Sequence, residues 1–145
     1  MQLTLRGDYA VRVAVELASQ PHDAIVKTGD LGRRTGVPPA YLTKIVQALA
    51  HAGVLRTRRG ARGGVSLLRP ASAVTLREII EAVEGPIYLN RCLVQPGLCP
   101  RDRFCTVHPV WSRIQALLTG ELDSVRLAEL TPGIGPTRRQ EATAC

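Results

Sequence analysis

Fifteen residues, Val54–Leu68, restrict the fold more than any other stretch of the chain. Two short β-like runs, Val54-Leu55 and Val65-Ser66-Leu67-Leu68, flank a segment that holds Arg56, Arg58, Arg59, Arg62, Gly60, Gly63 and Gly64. Glycines at the tip can take positive φ, which predicts a tight hairpin. Four arginines on so small a hairpin repel one another unless an anion meets them; the alternative is a loop kept soluble by its charge. The residues just upstream decide between these. Thr28 is placed to cap a short helix over Gly29–Arg34, and Thr35-Gly36-Val37 stops it. Pro38 and Pro39 suit the first turn of a further helix running to about His51, with Gly53 as its stop. Leu42, Ile45, Val46 and Leu49 form the buried stripe of that helix, while Tyr41, Lys44, Gln47 and His51 lie toward the other side. Two short helices across a tight turn are the helix-turn-helix arrangement, a weak pattern alone. A basic hairpin directly after it predicts a wing.

The remaining elements are helical. Tyr9, Ala10, Val13, Ala14 and Leu17 share one face of a helix over residues 4–19. Gln20–Asp23 breaks it, and Ala24-Ile25-Val26 predicts a short extended segment. Leu76–Glu84 predicts an amphipathic helix with a capping box formed by Thr75 and Glu78, ended by Gly85-Pro86. Residues 90–107 are irregular. A helix resumes at His108 and runs to Leu118, with Gly120 as punctuation and Leu122, Val125, Leu127 and Leu130 extending its apolar pattern. Such a helix has few partners left in so small a domain, which points to a second subunit. With only 3% aromatic residues, the core must be built from Leu, Val, Ile and Ala. The expected fold class is mainly α with a small β-hairpin wing: a winged helix-turn-helix domain plus a dimerisation helix. Within it, residues 1–70 form the DNA-binding region, 71–130 the loop and dimerisation helix of the same domain, and 131–145 a disordered tail.

Charge separates the two halves. Residues 1–70 hold eleven Lys/Arg against four Asp/Glu, and residues 71–145 hold eight against eight, so the whole net charge of +7 lies in the first half. A localised positive field is the footprint of a polyanion, here double-stranded DNA. The sequence shows no secretory signal and no run of about eighteen apolar residues, so a cytoplasmic protein with no membrane span is expected.

Cys92, Cys99, Cys105 and His108 fall within seventeen residues. In a reducing compartment, closely spaced cysteines point to metal or redox chemistry before disulfides. Thiolates select zinc, copper(I) or iron–sulfur clusters. The gaps of six and five residues provide no short zinc knuckle, while a polynuclear cluster can be held by a longer, open loop. An iron–sulfur cluster is therefore expected ahead of zinc. Asp8 is a rival to His108 as fourth ligand. No residue is apparent to orient a Cys–His pair for nucleophilic catalysis, so an enzyme is not expected.

These residues together resemble the Rrf-two family of bacterial winged-helix transcription regulators. The resemblance covers about residues 1–130, opening at Met1-Gln2-Leu3-Thr4 and Asp8-Tyr9-Ala10-Val11 and continuing through Pro39-Ala40-Tyr41-Leu42. It is most specific at Arg59-Gly60-Ala61-Arg62-Gly63-Gly64 with Leu67. The loop ending Cys105-Thr106-Val107-His108 resembles the cluster-binding branch. The resemblance implies a homodimer, a cluster on each subunit and a near-palindromic operator. In one pattern of that branch, three cysteines and a histidine hold a [2Fe–2S] cluster, here Cys92, Cys99, Cys105 and His108. In another, an aspartate of the partner's first helix completes a [4Fe–4S] site, here Asp8. This chain carries both candidates, and it has one residue more than the common spacing between Cys92 and Cys99. The [2Fe–2S] type is the first expectation and [4Fe–4S] the second. The expected function is a cluster-dependent regulator sensing redox state, nitric oxide or iron status, with a zinc-stabilised DNA-binding regulator as the alternative. Tyr41, Thr43, Lys44 and Gln47 are expected in the major groove, Arg58, Arg59 and Arg62 at phosphates or a narrow minor groove, and Thr28, Arg33 and Arg34 against the DNA backbone.

Overall fold

The computed structural model describes residues 3–132, so Met1, Gln2 and Cys145 lie outside it, as does all but the start of the expected tail. Helix α1 (Leu5–Ala18) begins at Thr4, whose hydroxyl accepts the Arg6 N–H, and it buries Gly7, Ala10, Val13, Ala14 and Leu17. Gly7 lets α1 approach the Glu84 side chain closely. Its N–H donates to Glu84 Oε1 at 3.0 Å, and a Cβ there would lie 2.9 Å from that oxygen.

Helix α2 (Thr28–Thr35) starts one residue earlier than expected. Thr28 is its first residue rather than its cap. Lys27 arrives in extended backbone from Val26, and its carbonyl accepts the Leu31 N–H, closing the first turn. Gly36, at φ +68°, ends the helix in the left-handed conformation that glycine adopts without strain. Helix α3 (Pro39–His51) buries Leu42, Ile45, Val46 and Leu49, the stripe its periodicity predicts.

Strands β1 (Leu55–Arg58) and β2 (Gly64–Leu67) form the hairpin, in the register Leu55↔Leu67 through Arg58↔Gly64. The expected extended segment before α2 reduces to a single bridge, Val26↔Val65, which ties the wing to the entry of α2.

Helix α4 (Leu76–Glu84) has the capping box: Thr75 Oγ1 accepts the Glu78 N–H (3.1 Å) and Glu78 Oε2 accepts the Thr75 N–H (2.8 Å). Glu78 Oε1 also meets Arg69 Nη2 at 2.8 Å, and Arg69 Nε donates to Gly53 O, linking α3, wing and α4. Burial pushes the Glu78 carboxyl up, but the Thr75 N–H and the Arg69 guanidinium outweigh it, and the group lies below its ordinary range. A carboxyl with a depressed folded-state pKa stabilises the fold above its unfolded pKa. That contribution fades as pH falls through the folded value. The partners are partly exposed, so the contribution should stay under about 1 kcal/mol. Glu78→Gln should therefore be slightly less stable at neutral pH and show a shallower loss on acidification in urea titrations. Parallel losses in the two proteins would refute this.

Helix α5 (His108–Ser124) passes through Gly120 without interruption, correcting the expectation of a stop near Leu118. Glycine costs a helix about 1 kcal/mol relative to alanine, too little to end one with good helix formers on both sides. The helix ends instead where Val125–Leu127 turns back onto α4. Leu76 N–H donates to Val125 O, Thr75 bridges Arg126, and Leu127 N–H donates to Val74 O. A 3₁₀ turn over Leu127–Leu130 follows. Leu127 thus leaves the helix pattern assigned to it and is fully buried in the core. Thr131, where the tail was expected to begin, is buried as well.

The core is one cluster contributed by α1, α2, α3, the wing, α4 and Leu127, and it contains no aromatic residue. None of the seventeen residues of α5 is buried.

Candidate functional site

The elements above place all ten expected DNA-contacting residues at the surface: Thr28, Arg33 and Arg34 on α2, Tyr41, Thr43, Lys44 and Gln47 on α3, and Arg58, Arg59 and Arg62 on the wing. They differ in how free they are. Arg33 pairs with Asp30, and Arg34 Nη1 lies 3.2 Å from Glu16 Oε1, so both share their charge with acids. Thr43 Oγ1 donates to Pro39 O of its own helix. The salt bridges among the described residues engage none of Lys44, Arg58, Arg59 and Arg62. A groove between wing and α2 is lined by Lys27, Thr28, Arg58, Gly60 and Gly63. The tip depends on glycine: a Cβ on Gly63 would lie 2.2 Å from Arg58 O.

Lys27 and Arg56 are also exposed and without a salt bridge among the described residues; Arg56 was noted among the hairpin arginines but not as a DNA contact, and Lys27 did not stand out in the sequence. Tyr9 was legible only as part of an apolar face. It packs edge-on against Tyr41, with ring centroids 5.4 Å apart, under the Arg12 guanidinium at 5.6 Å. Tyr41, the first of the residues expected in the major groove, therefore rests on α1. That contact joins residues 32 positions apart and has no local signature.

The cysteine loop follows α4. Cys92 lies in a 3₁₀ turn over Arg91–Leu93, capped by the Asn90 side chain. Cys99 and Cys105 each lead into a turn, and all three thiols are free and half-buried. His108 opens α5 and is also half-buried. Its Nδ1 lies 2.9 Å from Asp102 Oδ1 but off the hydrogen-bonding direction, so the nitrogen is buried and makes no hydrogen bond. Among the described residues, no three His, Cys, Asp or Glu side chains converge as a metal cage. The loop follows its own turns, with Asp102 N–H on Cys99 O and His108 N–H on Cys105 O. Asp8 is held elsewhere, 2.7 Å from Arg12 across one turn of α1. The donor chemistry nevertheless fits a thiolate-held group: three free thiols on one loop, with an imidazole at its end.

The family model for Rrf2, iron-dependent transcriptional regulators, matches residues 3–133. The chain belongs to the Rrf2 family. Like other Rrf2 proteins it is a DNA-binding transcription regulator and not an enzyme, and its wing and helix-turn-helix are the family's winged-helix fold. It is 29% identical to an HTH-type transcriptional regulator of Mycobacterium tuberculosis over 94% of this chain and 84% of that one. It is 32% identical to the HTH-type regulator IscR of Escherichia coli, over 90% of this chain and 80% of that one. Among solved structures, CymR, the global cysteine regulator of B. subtilis, superposes with a TM-score of 0.71 at 28% identity, covering 90% of this chain and 95% of that one. T. potens IscR superposes with the same score at 25% identity, covering 90% and 85%. No helix among the described residues of this Rrf2 protein is long and apolar enough to cross a membrane.

Proposed function

We propose that this Rrf2 protein is an iron–sulfur cluster-dependent regulator that binds a double-stranded operator as a homodimer. The observation that carries the proposal is the loop itself. Three free, half-buried thiols and the half-buried His108 imidazole occupy the segment leading directly into α5. Cys92, Cys99 and Cys105 would hold the cluster, with His108 or the partner subunit's Asp8 as the fourth ligand. The donor set fits [2Fe–2S] with His108 and [4Fe–4S] with Asp8. When bound, the cluster would supply a centre that responds to redox state, nitric oxide or iron supply.

The chain's own residues do the rest. Tyr41, Thr43, Lys44 and Gln47 would read base edges in the major groove, while the wing arginines, Thr28, Arg33 and Arg34 would fix register on the backbone. Val110, Ile114 and Leu117 leave an apolar stripe on α5 open for the same helix of a second subunit. Half-sites lie about 34 Å apart, so a small rotation between subunits would change operator affinity.

The test is anaerobic purification with an absorption spectrum and iron, sulfide and zinc analysis. Visible charge-transfer bands with iron matched by sulfide are expected, lost in Cys99→Ser. Operator affinity should differ between cluster-loaded and cluster-free protein. A colourless protein holding only zinc, even after reconstitution with iron and sulfide, would replace this reading with a zinc-stabilised DNA-binding regulator.

A further inference from the structure

Asp102 stands in the middle of the cysteine loop, and its side chain is only 15% exposed. A carboxylate so covered needs partners, since burying an unpaired charge is costly. Its two oxygens are divided. Oδ2 accepts the backbone N–H of Gly97 at 3.0 Å, and Oδ1 lies 2.9 Å from His108 Nδ1. Its own N–H donates to Cys99 O at 3.1 Å. Gly97 turns the chain at φ +84°, two residues before Cys99. Asp102 therefore joins the turn that presents Cys99 to the first residue of α5.

His108 Nδ1 is shielded from water, so its proton needs an acceptor inside the loop. The Asp102 oxygen is within reach but off line. The imidazole's terminal torsion is soft, and a modest rotation aligns the two. A carboxylate at Nδ1 keeps the proton there and leaves the lone pair on Nε2. Metal-bound histidines are commonly held this way, with the second ring nitrogen donating to a carboxylate.

We infer that Asp102 is a positioning residue of the cysteine loop. One oxygen holds the Gly97–Cys99 turn, and the other holds His108 in the Nδ1–H form with Nε2 as its donor atom. The purpose of this arrangement rests on the cluster reading, but the contacts are made by the chain's own residues and are testable without a cluster. The carboxylate is needed for both tasks. Two N–H donors require two acceptor oxygens, and an asparagine offers one oxygen and an NH₂ that would face a donor. Asp102→Asn should therefore release Gly97 or His108, and Asp102→Ala should release both.

The experiment is nitrogen-15 NMR on the full-length, cluster-free protein, at a pH where imidazoles are neutral. His108 is assigned with His108→Gln. Wild type should carry the His108 proton on Nδ1, and its Gly97 amide should be slow to exchange. In Asp102→Ala the Nε2–H form should predominate and Gly97 protection should be lost. In Asp102→Asn one of the two signals should move. Helix content should be unchanged, because the loop adds nothing to the core. After reconstitution with iron and sulfide, Asp102→Ala should hold iron against a chelator about 10–100-fold less well. An unchanged tautomer and an unchanged Gly97 amide in Asp102→Ala overturn the inference, whether or not the wild type takes up iron. A shifted tautomer in a chain that takes up no iron upholds the positioning role and removes the cluster reading instead.

Discussion

Replacing Arg58, Arg59 and Arg62 together with alanine should flatten the salt dependence of operator binding. All three are exposed and engage no salt bridge among the described residues, so each has its full charge to offer a phosphate. On duplex DNA each neutralised phosphate contributes about 0.9 to the slope of log K against log salt, so losing three on each subunit of the proposed dimer should lower the slope by about 5.4. Between 50 and 200 mM salt the wild type should then lose about 2,000-fold more affinity than the variant. Stability should stay within about 0.5 kcal/mol, because the three side chains are exposed and make no hydrogen bond or salt bridge among the described residues. The effect should be nearly the same on operator and random DNA. Gln47→Ala on the exposed face of α3 should behave in the opposite way, weakening operator binding with little change of slope. Salt-titrated binding isotherms on both DNAs check this. An unchanged slope in the triple variant would mean that the wing does not meet the backbone.

The parts of the fold that were legible in the sequence are those set by neighbours in the chain. The Thr75–Glu78 capping box, the four-residue stripe of α3 and the glycine-tipped hairpin each depend on residues a few positions apart, and each formed where the pattern placed it. Three features depend on distant residues and left no local trace. Glu84, at the end of α4, accepts the Gly7 N–H and the Thr4 hydroxyl and so secures the start of α1, 77 and 80 positions away. Tyr9 supports Tyr41 across the α1–α3 contact. Leu127 returns to the core after a helix that buries nothing. In the candidate site, the cysteines and His108 were conspicuous because their types are rare and closely spaced. Asp102 was not, because one acid between two arginines suggests a solvated loop until the fold shows what its oxygens meet.

The return of Leu127 leads to the other large expected effect. Leu127→Ala should destabilise the chain by about 2–5 kcal/mol, the cost of truncating a fully buried leucine and leaving its cavity. For a chain of this length that is a fall in Tm of about 7–16 °C. Leu127 is fully buried against α1 and the turn before α4, and its N–H donates to Val74 O. The segment also closes α5 onto α4, where Arg77 meets Asp123 at 2.8 Å and Glu81 at 3.1 Å. Loosening it should free one end of the helix proposed to join the subunits. Leu117, on the open stripe of α5 and 68% exposed, makes the comparison. If that stripe is the subunit contact, Leu117→Ala should leave a dilute sample's Tm almost unchanged while weakening dimerisation. Leu127→Ala should lower Tm at every concentration. Thermal melts over a hundredfold range of protein concentration, with sedimentation of the same samples, separate the two. Equal small effects from both substitutions would show that Leu127 does not hold the core together. Full retention of dimer in a Leu117→Asp variant would show that the stripe on α5 serves some other contact.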